Sequence, residues 1–221
     1  MSDKIEKPRR DLTGAVVPAV AVAGLAAVGA MLLVGVDWGR TEPQLPPGNC
    51  ILAGAEEVGG PIDLVDGNGA RVTEADFAGE PAVVYFGFTH CPDICPTSMY
   101  VLAEALAEPG GYDVTPVLIS VDPARDTPEV MHAYTQTGGF PPGLIGLTGT
   151  EAQVDAAIDA FRAHASRAPI EGAADGAYNV DHSSFLYVMD GEWRTRSIVR
   201  TIGANPQQMA QCIAMGLERQ G

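Results

Sequence analysis

The sequence predicts an α/β domain preceded by one transmembrane helix, on three observations. After a basic flank, the 25 residues from Leu12 to Val36 carry no charge. From Gly60 onward, apolar runs of strand length alternate with longer stretches of helical period. Two cysteines, Cys91 and Cys95, fall between an apolar strand and the helix after it, where α/β sheets place their reactive groups.

The N-terminal run follows Lys4, Lys7, Arg9 and Arg10. As a helix it would span roughly 37 Å at about 1.5 Å per residue. That exceeds a hydrocarbon core of about 30 Å, so tilt or frayed ends are expected, with Pro18 a kink point. The run is longer than the roughly 7–15 apolar residues of a signal-peptide core. Cleavage after Ala30 would also leave an apolar new terminus, so an uncleaved anchor is expected. A buried core helix is the competing reading, and the basic flank opposes it. Residues 1–11 are expected to be a cytoplasmic tail, 12–36 the anchor, 37–49 a linker and 50–221 a domain on the far side of the membrane. That side is the periplasm or an equivalent intermembrane space. The linker is proline-rich and extended. Cys50 follows Pro47-Gly48-Asn49, which lacks the leucine and small residues of a lipoprotein cleavage site, so lipidation is not expected.

The net charge is −15, from 28 acidic and 13 basic residues. Beyond residue 36 there are nine arginines, no lysine and 25 of the carboxylates. Phosphate backbones would be repelled, which argues against nucleic acid as a partner. An acidic exported domain suits a basic partner face, with affinity falling as salt rises. The expected compartment permits disulfides. Four cysteines (Cys50, Cys91, Cys95 and Cys212) are too few for a disulfide scaffold.

Ile62–Val65 and Ala70–Thr73 flank Asp66-Gly67-Asn68-Gly69, a hairpin with turn residues at its tip. Residues 81–88, PAVVYFGF, are nearly all apolar, as in a central strand covered on both faces. Residues 96–107 follow as a helix opened by Pro96. Residues 114–121 form a second buried strand, with Pro116 near its start. A helix over 127–137 is capped by Asp126 or Thr127 and opened by Pro128. A short strand at 145–147 precedes a helix over 151–164, where Val154, Ile158, Phe161 and Ala165 keep helical spacing. Residues 166–178 read as loop. Residues 184–189 and 196–202 alternate around Asp190-Gly191 as a second hairpin, and Asn205 caps a last helix to Arg219. This order is that of a thioredoxin-like fold with an N-terminal hairpin extension.

Cys95 lies at a helix start, where the helix dipole and free N–H groups favour thiolate. Asp93 opposes that by its charge. The three-residue gap between the cysteines would put their Cβ atoms about 5–6 Å apart on a helix. A disulfide needs about 3.5–4.5 Å. The pair would have to bend to bridge, yet could converge on one ion. Soft thiolates select Cu(I) or zinc, and imidazole suits both metals. Two cysteines rarely close a site, so a third ligand is needed. His132 and His164 read as solvated helix residues, and His90 as a packing neighbour of Cys91. His182 precedes the late hairpin, where a thioredoxin-like fold brings a loop, usually carrying a cis-proline, against its cysteines. No proline is present there, and His182 is the candidate third ligand.

Residues 89–96 (THCPDICP), 120–129 (SVDPARDTPE), 145–150 (IGLTGT) and 180–183 (VDHS) together resemble the Sco/SenC family, membrane-anchored copper chaperones of cytochrome c oxidase assembly. The resemblance covers about residues 50–219 and the anchor. It implies one copper ion per chain, Cu(I) or Cu(II), held by Cys91, Cys95 and His182. It also implies delivery to the binuclear copper site of cytochrome c oxidase subunit II, and contact with other copper chaperones or thiol reductants. Cys91 and Cys95 would serve as well in a thiol–disulfide role that keeps the target's cysteines reduced. A peroxidase-like reading would need an activated cysteine beside an arginine, for which the sequence makes no strong case. The Asp122–Thr127 stretch reads as loop and helix cap ahead of a direct role. Asp181 is a candidate to orient His182 or a simple turn residue. Cys50 and Cys212 lie outside the matched motifs and are either a disulfide tying the two ends of the domain or two small buried residues.

Overall fold

A computed structural model describes residues 47–109, 112–172 and 177–218. The expected cytoplasmic tail, the anchor at 12–36 and most of the linker lie outside these residues. Among the described residues no helix is long and apolar enough to cross a membrane.

The strands are β1 (Cys50–Ile51), β2 (Asp63–Asp66), β3 (Arg71–Thr73), β4 (Ala82–Gly87), β5 (Thr115–Ser120), β6 (Ile145–Thr148), β7 (Ala165–Pro169), β8 (Tyr178–His182), β9 (Phe185–Met189) and β10 (Thr195–Arg200). The helices are α1 (Ile94–Leu106), α2 (Pro128–Thr135), α3 (Glu151–Ala160) and α4 (Pro206–Glu218). Eight strands form one sheet in the order β1-β10-β9-β4-β5-β6-β2-β3. β4, β5 and β6 run parallel, and β9 lies antiparallel to β4. This is the thioredoxin-like core. The early hairpin extends it, because β2 pairs antiparallel with β6.

β4 sits in the middle of the sheet and is buried at every position. Its unbroken apolar run is therefore the signature of a strand covered on both faces rather than of alternation. Tyr85, Phe86, Leu118 and Ile119 show no exposed surface. At the hairpin tip, Asp66 Oδ1 accepts from the N–H groups of Asn68 and Ala70 at 2.9 and 2.8 Å. Gly69 takes φ of 79°, a left-handed backbone that costs glycine little. Asn205 Oδ1 accepts from Gln208 N at 2.9 Å and caps α4.

Several boundaries differ from those the sequence predicts. α1 begins at Ile94, so Pro96 is its third residue rather than its first. The first-turn N–H groups of a helix have no intrahelical acceptor, which makes a proline there inexpensive. α3 stops at Ala160, with Phe161 fully buried and Arg162 left-handed at φ 47°. Burying Phe161 in the core turns the chain, so His164 lies off the helix. The last hairpin strand ends at Arg200, which leaves Ile202 in a turn.

The expected loop at 166–178 is largely a second, two-stranded sheet in which β7 pairs antiparallel with β8. Most β7 side chains are exposed, so the strand is set by backbone pairing and carries no apolar alternation to read. Cys50 and Cys212 are disulfide-bonded, with Cα atoms 5.5 Å apart, joining β1 to α4. Cys91 and Cys95 are free.

Candidate metal centre

β4 delivers the chain to residues 88–93, and α1 begins immediately after. Cys95 thus falls in the first turn of α1 and Cys91 just before it. The ribbon of β7 and β8 brings His182 over them from 87 residues further along. The two sulfurs and a His182 ring nitrogen lie within 4.8 Å of one another. Cys95 Sγ stands 3.3 Å from His182 Nε2. His182 Nδ1 lies 3.0 Å from the carbonyl oxygen of Ser183. A carbonyl can only accept, so Nδ1 carries the proton and Nε2 keeps a lone pair facing the sulfurs. The imidazole is thereby held in the tautomer a metal needs.

The two thiols are made unequal. The backbone N–H of Cys95 donates to Cys91 Sγ at 3.3 Å. A hydrogen bond from the Cys95 thiol, helped by the backbone N–H groups of Asp93 and Cys95, holds the Cys91 thiol well below its ordinary range against the opposing effect of burial. The Cys95 thiol is pushed up, first because it shares its proton with Cys91 and then by burial. Cys95 is fully buried, whereas Cys91 lines the groove beside His182. Iodoacetamide should therefore alkylate Cys91 of the metal-free, reduced chain even at about pH 6, well below an ordinary thiol pKa of about 8.5. Cys95 should react far more slowly at the same pH. Peptide mapping by mass spectrometry checks this, and equal labelling of both would contradict the asymmetry.

The surroundings fit a soft metal ion. A Cβ placed on Gly87 would stand 3.0 Å from Cys95 Sγ, so only glycine leaves that sulfur its position. Among the described residues the buried Tyr85 hydroxyl has no partner at hydrogen-bond distance. Burial, followed by the charge of Cys95, raises its pKa. An unpaired phenol O–H beside a sulfur is suited to a thiolate acceptor. The edges of Phe88 and Tyr85 pack against the His182 ring with centroids 5.6 and 6.2 Å apart. Two sulfurs and one imidazole make a donor set for copper or zinc and a poor one for hard cations.

The other histidines lie apart from this group. His90 Nδ1 meets Thr89 Oγ1 at 3.0 Å, His132 is on α2, and His164 meets Ser166 Oγ at 3.3 Å. Asp181 is exposed on β8, and Ser183 takes the orienting role considered for it.

The Asp122–Thr127 stretch does more than cap. Thr127 does cap α2, accepting from Val130 N at 3.4 Å. Asp126 is fully buried and accepts from Thr89 N at 3.2 Å, Thr89 Oγ1 at 2.6 Å and Ser120 Oγ at 2.6 Å. Asp122, also fully buried, pairs with the Arg125 guanidinium and accepts from the Tyr178 hydroxyl at 2.8 Å. Arg125 lies over the Tyr178 ring at 4.0 Å and donates to its carbonyl at 3.1 Å. One short segment thus anchors both the loop before Cys91 and the start of the strand that ends at His182. Thr89, Tyr178 and Ser183 carry no separate signal in the sequence.

Asp126→Asn places an amide N–H₂ where three donors converge. It should cost about 2–3 kcal/mol, or roughly 4–12 °C in Tm for a domain of this size. Loosening the loop before Cys91 should also weaken metal binding by about tenfold. Thermal melts and metal titration check both, with Thr127→Ala as a control costing only about 1 kcal/mol. A melt indistinguishable from that control would remove Asp126 as an anchor.

The geometry puts the chain among thioredoxin-like proteins in which a histidine from a late strand meets the cysteine pair. It belongs to the SCO1/SenC family, whose pattern matches residues 52–218. Over 137 residues it is 47% identical to Protein SenC of Rhodobacter capsulatus, covering 61% of this chain and 59% of that one. Over 143 residues it is 43% identical to the mitochondrial SCO1 homolog 1 of Arabidopsis thaliana, covering 63% of this chain and 41% of that one. The match therefore spans between two-fifths and three-fifths of those relatives. Among solved structures, Bradyrhizobium japonicum ScoI with copper bound superposes with a TM-score of 0.62 at 37% identity, over 72% of this chain and 99% of that one. Yeast Sco1 with copper bound gives 0.63 at 34%, over 71% and 86%.

Proposed function

We propose that this chain is a copper chaperone. It holds one copper ion through Cys91, Cys95 and His182 and delivers it to the binuclear copper site of cytochrome c oxidase subunit II. The observation that carries the reading is the convergence of two sulfurs and an imidazole nitrogen within 4.8 Å. Relatives solved with copper bound support the choice of metal. Leu12–Val36 anchors the chain, with the N-terminus cytoplasmic and the domain in the periplasm or an equivalent space. Cys95 forms the inner wall, and Cys91 and His182 open on the groove. Three ligands leave room for an incoming thiolate, so copper passes by ligand exchange and is never released free. The test mixes the Cu(I)-loaded chain in detergent with the copper-free soluble domain of subunit II. Copper should move to subunit II. Retention of all copper by the chaperone at excess acceptor would reject the delivery step.

A second reading is favoured by the unequal thiols. The Cys91 thiolate would attack a disulfide between the target's copper-binding cysteines, forming a mixed disulfide and releasing one target thiolate. Cys95, after losing its proton, would attack the Cys91 sulfur, freeing the second target thiol and leaving Cys91 and Cys95 bridged. The target gains two electrons and the pair loses two. This chemistry needs no imidazole ligand, so His182→Ala should retain it in full while copper binding and transfer are impaired. Loss of both activities together would join the two readings in one site.

A further inference from the structure

The groove over the cysteines is lined by Cys91 and His182 and, around its rim, by Asp93, Ile94, Asp181 and Ile202. Ile202, at 61% exposure, is the most exposed large apolar side chain among the described residues. It stands at the tip of a stiff turn. Thr201 N and Oγ1 both donate to the Ser184 carbonyl, at 3.0 and 3.1 Å, and Ala204 N donates to the Thr201 carbonyl at 3.1 Å. Gly203 closes the turn at φ 76°. A turn backbone held this way is ordered before any partner arrives, which lowers the entropic cost of docking.

The charge on the rim has one sign. Among the described residues no lysine or arginine lines the groove, and neither Asp93 nor Asp181 is in an ion pair. The Asp93 carboxylate accepts from Thr97 Oγ1 at 3.4 Å. Two carboxylates beside the cysteine pair repel a second copy of this face, an anionic thiol or an anionic membrane, and attract a cation-bearing segment.

We propose that this rim is the docking face for the copper-receiving protein, and that it fits a segment carrying Lys or Arg beside an apolar side chain, with a thiol or imidazole between them. Ile202 is the apolar anchor, and Asp93 and Asp181 meet the cations. This deepens the chaperone reading and rests on it for copper transfer, but docking itself can be measured without metal.

The probes are two fluorescein-labelled peptides with the same Cys-and-His copper-binding loop. One is flanked by Lys and Leu, the other by Glu and Ser. Fluorescence anisotropy with the copper-free full chain in detergent reads docking. Competition with a small Cu(I) chelator reads copper affinity. Cu(I) passage to each peptide is then timed. The Lys/Leu peptide should bind and accept copper about tenfold better than the Glu/Ser peptide at low salt, with the gap closing as salt rises. Ile202→Ser and Asp181→Asn should each remove most of that advantage, with copper affinity unchanged. Equal binding of the two peptides, or wild-type binding and transfer in both variants, would overturn the docking face. A chain that takes up no copper would reject the chaperone reading, while the anisotropy results would still decide the docking face.

Discussion

Cys91→Ser and Cys95→Ser should each lower Cu(I) affinity by at least about a thousandfold, or roughly 4 kcal/mol. A serine hydroxyl is a hard, neutral oxygen in place of a soft anion, and Cu(I) selects softness. Each variant leaves one sulfur and one imidazole, too few to shield the ion from competing thiols. At Cys95 the loss should be the more complete, because that sulfur is fully buried and no solvent-borne ligand can take its place. His182→Ala should behave differently. The remaining thiolate pair still suits Cu(I), so its affinity falls less, whereas Cu(II) loses its imidazole donor and with it most of its binding. Titration against a Cu(I) chelator measures the first effect. The thiolate-to-Cu(II) charge-transfer absorption measures the second. Wild-type affinity for both oxidation states in His182→Ala would break the three-ligand site.

Replacing both Cys50 and Cys212 with alanine should cost about 4 kcal/mol of stability, near the upper part of the usual range for losing a native disulfide. The bridge closes a loop with a sequence separation of 162, so it restrains nearly the whole unfolded domain, and loop-closure entropy rises with the logarithm of length. The native contacts at stake are also substantial. Cys212 is fully buried, and its carbonyl accepts from Ser197 Oγ at 3.0 Å, which joins α4 to β10. The expected fall in Tm is roughly 8–16 °C for a domain of this size. Cu(I) affinity should stay near wild type, because β1 and α4 contribute no donor atom. A melt within about 2 °C of wild type, corresponding to at most about 1 kcal/mol, would mean the bridge restrains little.

Much of the sheet is legible along the chain because strand and helix periods are local. The apolar run of β4, the Asp-Gly-Asn-Gly tip of the first hairpin and the Asn205 cap each state their structure within a few residues. The donor residues are legible too, from the cysteine spacing, the single histidine standing where a proline is usual, and the family motifs. What holds them is much less legible. Asp122 and Asp126 sit in a stretch that reads as loop and cap, yet their carboxylates reach Tyr178 and Thr89, partners 56 and 37 residues away. Asp181 sits beside His182 in sequence and looks like its support. In a strand, however, adjacent side chains point to opposite faces, and the neighbouring Ser183 backbone supplies the acceptor instead. β7 escapes notice because a strand defined by backbone pairing alone needs no apolar pattern.

The sequence by itself thus determined the order of the central strands and the helices, the two thiols at a helix start and the histidine available to join them. These depend on local propensity, spacing and periodicity. Only the tertiary structure decided that Cys50 and Cys212 bond to each other, that the β7–β8 ribbon carries His182 over the cysteines, that Cys91 and not Cys95 faces the groove, and that Ile202 stands at its mouth. Those outcomes depend on which distant segments the folded sheet brings within a few ångströms, and on which polar groups lose water when they meet.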